Sequence, residues 1–277
     1  MVVGLAVGKR QSRPWIVSDE LWSLVEPLLP QPAPKQVEGR PRVPDRQALC
    51  GILFVLHTGI QWEYLPQELG FGSGMTCRRR LAAWNDAGVW DQLHVVLLKK
   101  LRVAKKLDWS RAVIDSSHVR AARPGPQSGP SPVDRARPGK HHLIVDGQGI
   151  PLAVSLTGGN RNDVTQLIPL LQKIPSVAGL VGRPHNRPDS LLGDRGYDHD
   201  QYRRLVWALG IKPVIARRGV PHGSGLGIHQ WVVERTIAWL HGFRRLRIRW
   251  ERRDDIHEAF LGLAICLITH RHVQRLC

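Results

Sequence analysis

The chain has 277 residues, enough for one large domain or two modest ones with a core that needs no covalent staples. Its formal charge is +17, and 31 of its 40 basic residues are arginine, the side chain best suited to bidentate contact with phosphate. Four scattered cysteines without a CxxC pair exclude a zinc site and a disulfide framework, and no apolar run reaches the ~18 residues of a membrane span.

This balance predicts a polyanionic partner, nucleic acid before others. A generic basic surface, or base-composition bias in the source genome, is the bland alternative. The opening run Met1–Arg10 is too short and carries its charges on the wrong side for a signal peptide. A soluble, cytoplasmic, nucleoid-associated protein is expected.

In chain order, residues 1–13 read as a flexible leader. Ser18 is placed to cap a helix with Asp19 and Glu20 in its first turn, ending at Pro30. A Pro-rich basic linker follows over 31–44. Asp45 is expected to cap an apolar helix through Leu49, Ile52, Leu53 and Leu56, broken near Gly59. A short segment from Trp62 to Leu69 and a Gly-rich turn lead to a third helix carrying Arg78, Arg79 and Arg80. That order is the one used by a helix-turn-helix DNA reader; a plain bundle with solvated arginines fits equally. A further helix from Trp90 to Leu107 reads as a connector.

After Asp108 the pattern changes. Ala112-Val113-Ile114 is a short buried-strand signal ending in Asp115. A Pro/Gly-rich loop precedes strands at 143–145 and 151–156, joined by the hairpin turn Asp146-Gly147-Gln148-Gly149. Helices are expected over 163–173 and 198–209, strands over 190–193 and 212–216, and a basic, glycine-rich loop over 217–227. Glu234 lies on an amphipathic helix whose continuation carries Arg244, Arg245, Arg247, Arg249, Arg252 and Arg253, and residues 254–271 form the last helix. Alternating strands and helices indicate a mixed α/β layer structure.

Two aspartates, Asp115 and Asp194, stand where short strands end, and Glu234 offers a third carboxylate from a helix. Hard oxygen donors of this kind suit Mg²⁺, and two such ions ~4 Å apart can activate the attacking oxygen and stabilise the leaving oxygen of a phosphodiester. Taken singly, each acid is more simply a turn or capping residue. Lys140, with His141 and His142, is placed either against DNA phosphate or in a solvated loop. Arg195 and Arg235 read as partners of the neighbouring carboxylates, and Asp198 and Asn162 as helix caps. His257-Glu258 lacks the second histidine of a zinc protease, since 261 is Leu. No glycine-rich stretch has the spacing of a nucleotide loop.

The strings Ile114-Asp115-Ser116-Ser117-His118-Val119, Pro132-Val133-Asp134-Arg135, Gly193-Asp194-Arg195-Gly196-Tyr197-Asp198 and Trp231-Val232-Val233-Glu234-Arg235-Thr236, together with Phe243-Arg244-Arg245-Leu246-Arg247, resemble bacterial insertion-sequence transposases of the DDE class, in the insertion-sequence-five family. The likeness spans residues 14–272. It implies a ribonuclease-H-like mixed sheet flanked by helices, preceded by an all-α helix-turn-helix-like domain. Asp115, Asp194 and Glu234 would hold Mg²⁺, with Mn²⁺ as a possible substitute. Cleavage at terminal inverted repeats and joining of the freed 3′-hydroxyl to target DNA would follow, in a homo-oligomeric synapse away from any membrane. Gln230 departs from the family, which carries arginine there, and Pro138-Gly139-Lys140 is a residue short of its usual form.

The expected division is a leader over 1–13, a DNA-binding domain over 14–92, a connector over 93–109 and a catalytic domain over 110–277. Arg78, Arg79, Arg80, Lys140, His141, Arg244, Arg245 and Arg247 would lie along DNA. Two rivals remain: a structure-specific nuclease or resolvase on the same fold, and a decayed, non-catalytic DNA-binding copy.

Overall fold

The computed structural model describes residues 13–32, 41–122, 126, 138–219 and 227–277. The leader, most of the first Pro-rich linker, the string 132–135 and residues 220–226 of the basic loop lie outside the described residues.

The helical part comprises α1 (Asp19–Val25), α2 (Asp45–Thr58), α3 (Gly74–Asp86) and α4 (Val89–Val103). Ser18 caps α1 as expected, its hydroxyl accepting from Leu21 N at 3.2 Å. Asp45, in contrast, is the first residue of α2, and Pro44 holds the cap position. Its carboxylate is taken by Arg42 at 3.2 Å and by Arg80. Two short 3₁₀ turns, Trp62–Tyr64 and Gln67–Leu69, stand between α2 and α3, in the order predicted.

The sheet comprises β1 (Ala112–Ala121), β2 (Gly139–Asp146), β3 (Pro151–Gly158), β4 (Ser190–Gly193) and β5 (Lys212–Ile215), in spatial order β3-β2-β1-β4-β5. β2 runs antiparallel to both β1 and β3, and β4 and β5 run parallel to β1. A meander followed by parallel strands on the far side of the first strand is the ribonuclease-H-like arrangement. α5 (Leu167–Lys173) and α6 (Asp200–Ala208) connect the later strands. α7 (Gly227–Gly242) then crosses β1 and β2, and α8 (Arg244–Arg247) leads into β6 (Ile248–Arg249), which pairs with the end of β1. α9 (Asp254–Leu276) is apolar on nearly every side, and correspondingly it is buried among α3, α4, α7 and β3. One continuous hydrophobic cluster joins the helical part to the sheet.

Two strands are longer than their apolar runs suggest. β1 continues through Asp115, Ser116 and Ser117 because β2 pairs with it as far as Val119, so Asp115 lies within the strand and not at its end. β2 begins at Gly139, which puts Lys140, His141 and His142 in a strand buried on both faces. No helix among the described residues is long and apolar enough to cross a membrane.

Candidate active site

Asp115 is the fourth residue of the central strand, opposite Leu143 of β2. On its other side β4 pairs in parallel, Ala112 with Leu191 and Val113 with Leu192. Carried two residues further, that register sets Asp115 beside Asp194, on strands ~4.8 Å apart. Asp194 follows β4 directly and caps a 3₁₀ turn, its Oδ1 accepting from Gly196 N at 2.9 Å. Glycine at the end of the strand leaves room for its neighbours. A Cβ on Gly193 would meet Ile114 Cγ2 at 3.1 Å and the Tyr197 ring at 3.3 Å.

Glu234 reaches the same place from α7. His241 lies seven residues on, two turns along one helical face, and its Nε2 is 3.2 Å from Ser117 Oγ. Ser117 is two residues beyond Asp115 on β1, hence on the same sheet face. The helix face bearing Glu234 and His241 therefore overlooks the strand face bearing Asp115 and Ser117. α7 is fixed from behind by the β2–β3 hairpin. Thr236 Oγ1 donates to Gly149 O at 2.7 Å, and the Arg235 guanidinium donates to Gln148 O. Gly149 has φ +89°, and a Cβ there would stand 3.0 Å from Val232 O, so a side chain would push the helix away. Arg235 is stacked between Trp231 at 4.6 Å and Trp239 at 4.7 Å, the structural role expected of it, although with aromatic and carbonyl partners and no carboxylate.

Burial first, then the carboxylates of Asp194, Glu234 and Asp163, together push the Asp115 carboxyl up to about 6, against a hydrogen bond from Ser116 N at 2.7 Å. Asp194 and Glu234 are exposed, while Asp115, on the central strand, is half-buried. Excess negative charge and an all-oxygen donor set fit a hard divalent cation. As they stand, however, no three His, Cys, Asp or Glu side chains among the described residues are close enough to chelate one.

Asp163, in the strand-to-helix turn that the family resemblance places near the active site, is a fourth acid of this neighbourhood. Asn162 is the cap, its Oδ1 accepting from Val164 N at 3.4 Å. Asp163 instead receives Lys140 Nζ at 2.9 Å, and Lys140 also donates to Arg161 O at 3.0 Å. The expectation that Lys140 meets DNA is thus corrected: its ammonium is buried and neutralises Asp163. His141 is corrected more strongly. It is 1% exposed, stacked on His257 with Nε2 atoms 2.8 Å apart, and cannot touch a phosphate.

The arginines divide. Arg79 and Arg244 are exposed, with no hydrogen-bond or ion-pair partner among the described residues; Arg78 is half-buried, and Arg247 is exposed with its Nε on His241 O. Arg80 is corrected from a DNA ligand to an internal partner of Asp45. Arg245 is corrected likewise. It is 3% exposed, donates to Ile60 O at 2.7 Å and pairs with Glu251. Asp198 does not cap α6; it binds Arg203 at 2.7 Å and Arg218 N at 2.7 Å, tying the segment after β5 to the turn after Asp194.

Comparison with known proteins gives the chain's family. The family described as "Transposase DDE domain" matches residues 109–224 and 226–269, and "Putative transposase of IS4/5 family" matches residues 17–94. The "Putative transposase for insertion sequence element IS402" of Burkholderia cepacia is 59% identical over 151 residues, covering 54% of this chain and 72% of the relative. The corresponding protein of insertion sequence element IS6501 from Brucella ovis is 27% identical over 48% of this chain and 98% of its own length. The Mos1 mariner paired end complex with Mn is a looser structural likeness, with a TM-score of 0.34 and 12% identity over 88% of this chain and 80% of that one.

Proposed function

Because the chain belongs to the transposase DDE domain family, we infer that it is a DNA transposase, which cleaves DNA at the ends of a mobile element and joins the freed strand to a target. Members of this family act with divalent metal ions. Mg²⁺ is the ion we assign, Mn²⁺ its substitute, and the element's terminal inverted repeats are the DNA it cuts. The observation that supports the assignment of residues is the register of β1 and β4, which sets Asp194 beside Asp115, together with the upward push of Asp194 and Glu234 on the Asp115 carboxyl.

In this reading the three carboxylates hold the metal. A bound divalent cation would supply Lewis acidity to an attacking oxygen and charge stabilisation to the leaving 3′-oxygen. The protein's own contribution is placement. β1 and β4 fix two acids on adjacent strands, and the hairpin tip sets the height of α7 and so of Glu234. Lys140 cancels the charge of Asp163, which leaves three acids and not four to be balanced by metal. Residues 14–92 recognise the repeat through the exposed side of α3, chiefly Arg79 with Arg78, and residues 110–277 cut and join. Arg244 and Arg247, which flank the end of α7, carry the DNA past the acids. Work on two ends at once calls for a homo-oligomer, at the nucleoid in the cytoplasm.

The test uses labelled duplexes carrying the inverted repeats that flank the coding region, with Mg²⁺ and a target plasmid. The parent chain gives nicked ends and joined product. Asp194→Ala should still shift the duplex in a gel but lose both products by about a thousandfold or more. Retained cleavage by Asp194→Ala removes that residue from the site. Cuts without joined product from the parent chain would favour a nuclease instead.

A further inference from the structure

Tyr197 is the last residue of the 3₁₀ turn after Asp194, and its ring lies against the end of β4, in the space that Gly193 leaves by lacking a Cβ. It is 1% exposed, and its hydroxyl has no hydrogen-bond partner among the described residues. A Cβ on Gly193 would also meet Ile114 Cγ2 at 3.1 Å, so the ring lies where β4 meets β1, next to the residue before Asp115. Burial raises the phenol well above its ordinary value, and the carboxylates of Asp163, Asp115 and Asp194 add to this. Ser116 approaches and offsets this slightly without reaching hydrogen-bond geometry. A buried hydroxyl without a partner is destabilising, and phenylalanine would fill the same space without that cost. A donor kept dry among three acceptors has a use only if an acceptor comes to it.

We propose that Tyr197 is a positioning residue of the acid site, whose hydroxyl donates to the outer oxygen of Asp115 once a divalent cation draws the carboxylates together. The donation fixes the rotation of the one acid that the strand holds half-buried, and the orphan hydroxyl of the unloaded protein is the counterpart of a satisfied one in the loaded protein. This rests on the acid-trio reading above.

The test measures Mn²⁺ binding to the full chain by the electron paramagnetic resonance signal of the free ion. Tyr197→Phe should bind Mn²⁺ about 10–100-fold more weakly, the usual effect of removing a hydrogen bond to a metal ligand. Its melting temperature without metal should equal or exceed the parent's, because the variant sheds an unpaired buried hydroxyl. A purely structural tyrosine would leave the Mn²⁺ affinity unchanged, and that result overturns the proposal whatever the melting temperature does. Asp115→Asn is the control: binding as tight as the parent's refutes the acid trio itself, independently of Tyr197. A measurement on the unmutated protein guards against misfolding of the variant. The chain has three tyrosines, so ¹³Cζ labelling gives three signals, which Tyr64→Phe and Tyr202→Phe assign by elimination. The Tyr197 signal should move on adding Mg²⁺, and an unmoved signal overturns the proposal.

Discussion

Rows of arginine occur twice in this molecule, on α3 at 78–80 and across α8 and β6 at 244–249, and the two are put to different use. On α3 only Arg80 turns inward, to Asp45 of the preceding helix, and Arg79 is left outside. Across α8 and β6, Arg245 and Arg249 are 3% and 0% exposed. Arg245 spans from the carbonyls of Gly59 and Ile60 in the helical part to Glu251, and the same carboxylate oxygen of Glu251 accepts from Trp62 Nε1 at 3.2 Å. One row is largely surface, and the other is divided: Arg245 joins the two parts of the chain and Arg249 is buried, while Arg244 and Arg247 stay outside. Arginine density does not separate them; the presence of acids and carbonyls on the inward side does.

The largest effect should come from breaking the joint. Arg245→Ala leaves Glu251 charged and buried, and loss of one partner from a buried pair costs about 3–5 kcal/mol. Urea midpoints would read this directly, and a midpoint within error of the parent's would reduce the joint to a packing accident.

A second effect concerns acid. His257 touches the joint, and burial, then Arg249 and Arg245, push it down to about 3; His57, beside Phe243 at the end of α7, is pushed to about 4 by burial and by Arg271. Both stay neutral in the folded chain where the unfolded chain takes up protons. Their stabilising contribution is therefore complete above pH ~6.5 and is lost as pH falls toward 4, by up to about 1.4 kcal/mol per pH unit for each. Urea unfolding at pH 7 and pH 5 should show the loss, and His257→Gln should flatten it. Parallel slopes in variant and parent would mean that His257 takes up its proton without unfolding.

The smallest effects belong to the exposed guanidiniums. Arg79→Ala and Arg244→Ala should each leave stability within about 0.5 kcal/mol while lowering the slope of log affinity against log salt by about 1. Should Arg244→Ala leave the slope untouched, DNA does not cross α8, and the two rows differ even more than described.

Much of the site is legible in the chain. Asp194 follows the short strand Ser190–Gly193 and Glu234 sits in the long helix Gly227–Gly242, so local pattern places both. Asp115 was placed at a strand end because the apolar run stops at Ile114, and the polar stretch Ser116-Ser117-His118 gives no alternation to extend it. Only pairing with β2 keeps that stretch extended. His141 looked solvated for a similar reason. Its buried partner is 116 positions away, and a histidine pair of that separation leaves no trace in local composition. The Lys140–Asp163 pair, 23 positions apart, is hidden in the same way. Glu251 left a signal that could have been used: a lone acid among arginines, Arg247, Arg249, Arg252 and Arg253, is placed to neutralise one of them.

The β2–β3 hairpin has a consequence out of proportion to its size. Its tip grips α7 by backbone carbonyls at 148 and 149, one of them in a left-handed glycine, and Glu234 sits within a single helical turn of that grip. The turn is therefore a length gauge. One residue more or less in it would slide or roll the whole helix, and so misalign a carboxylate on the opposite side of that helix. A tip of this kind, peripheral in position, is held to a fixed count of residues as strictly as any part of the catalytic floor.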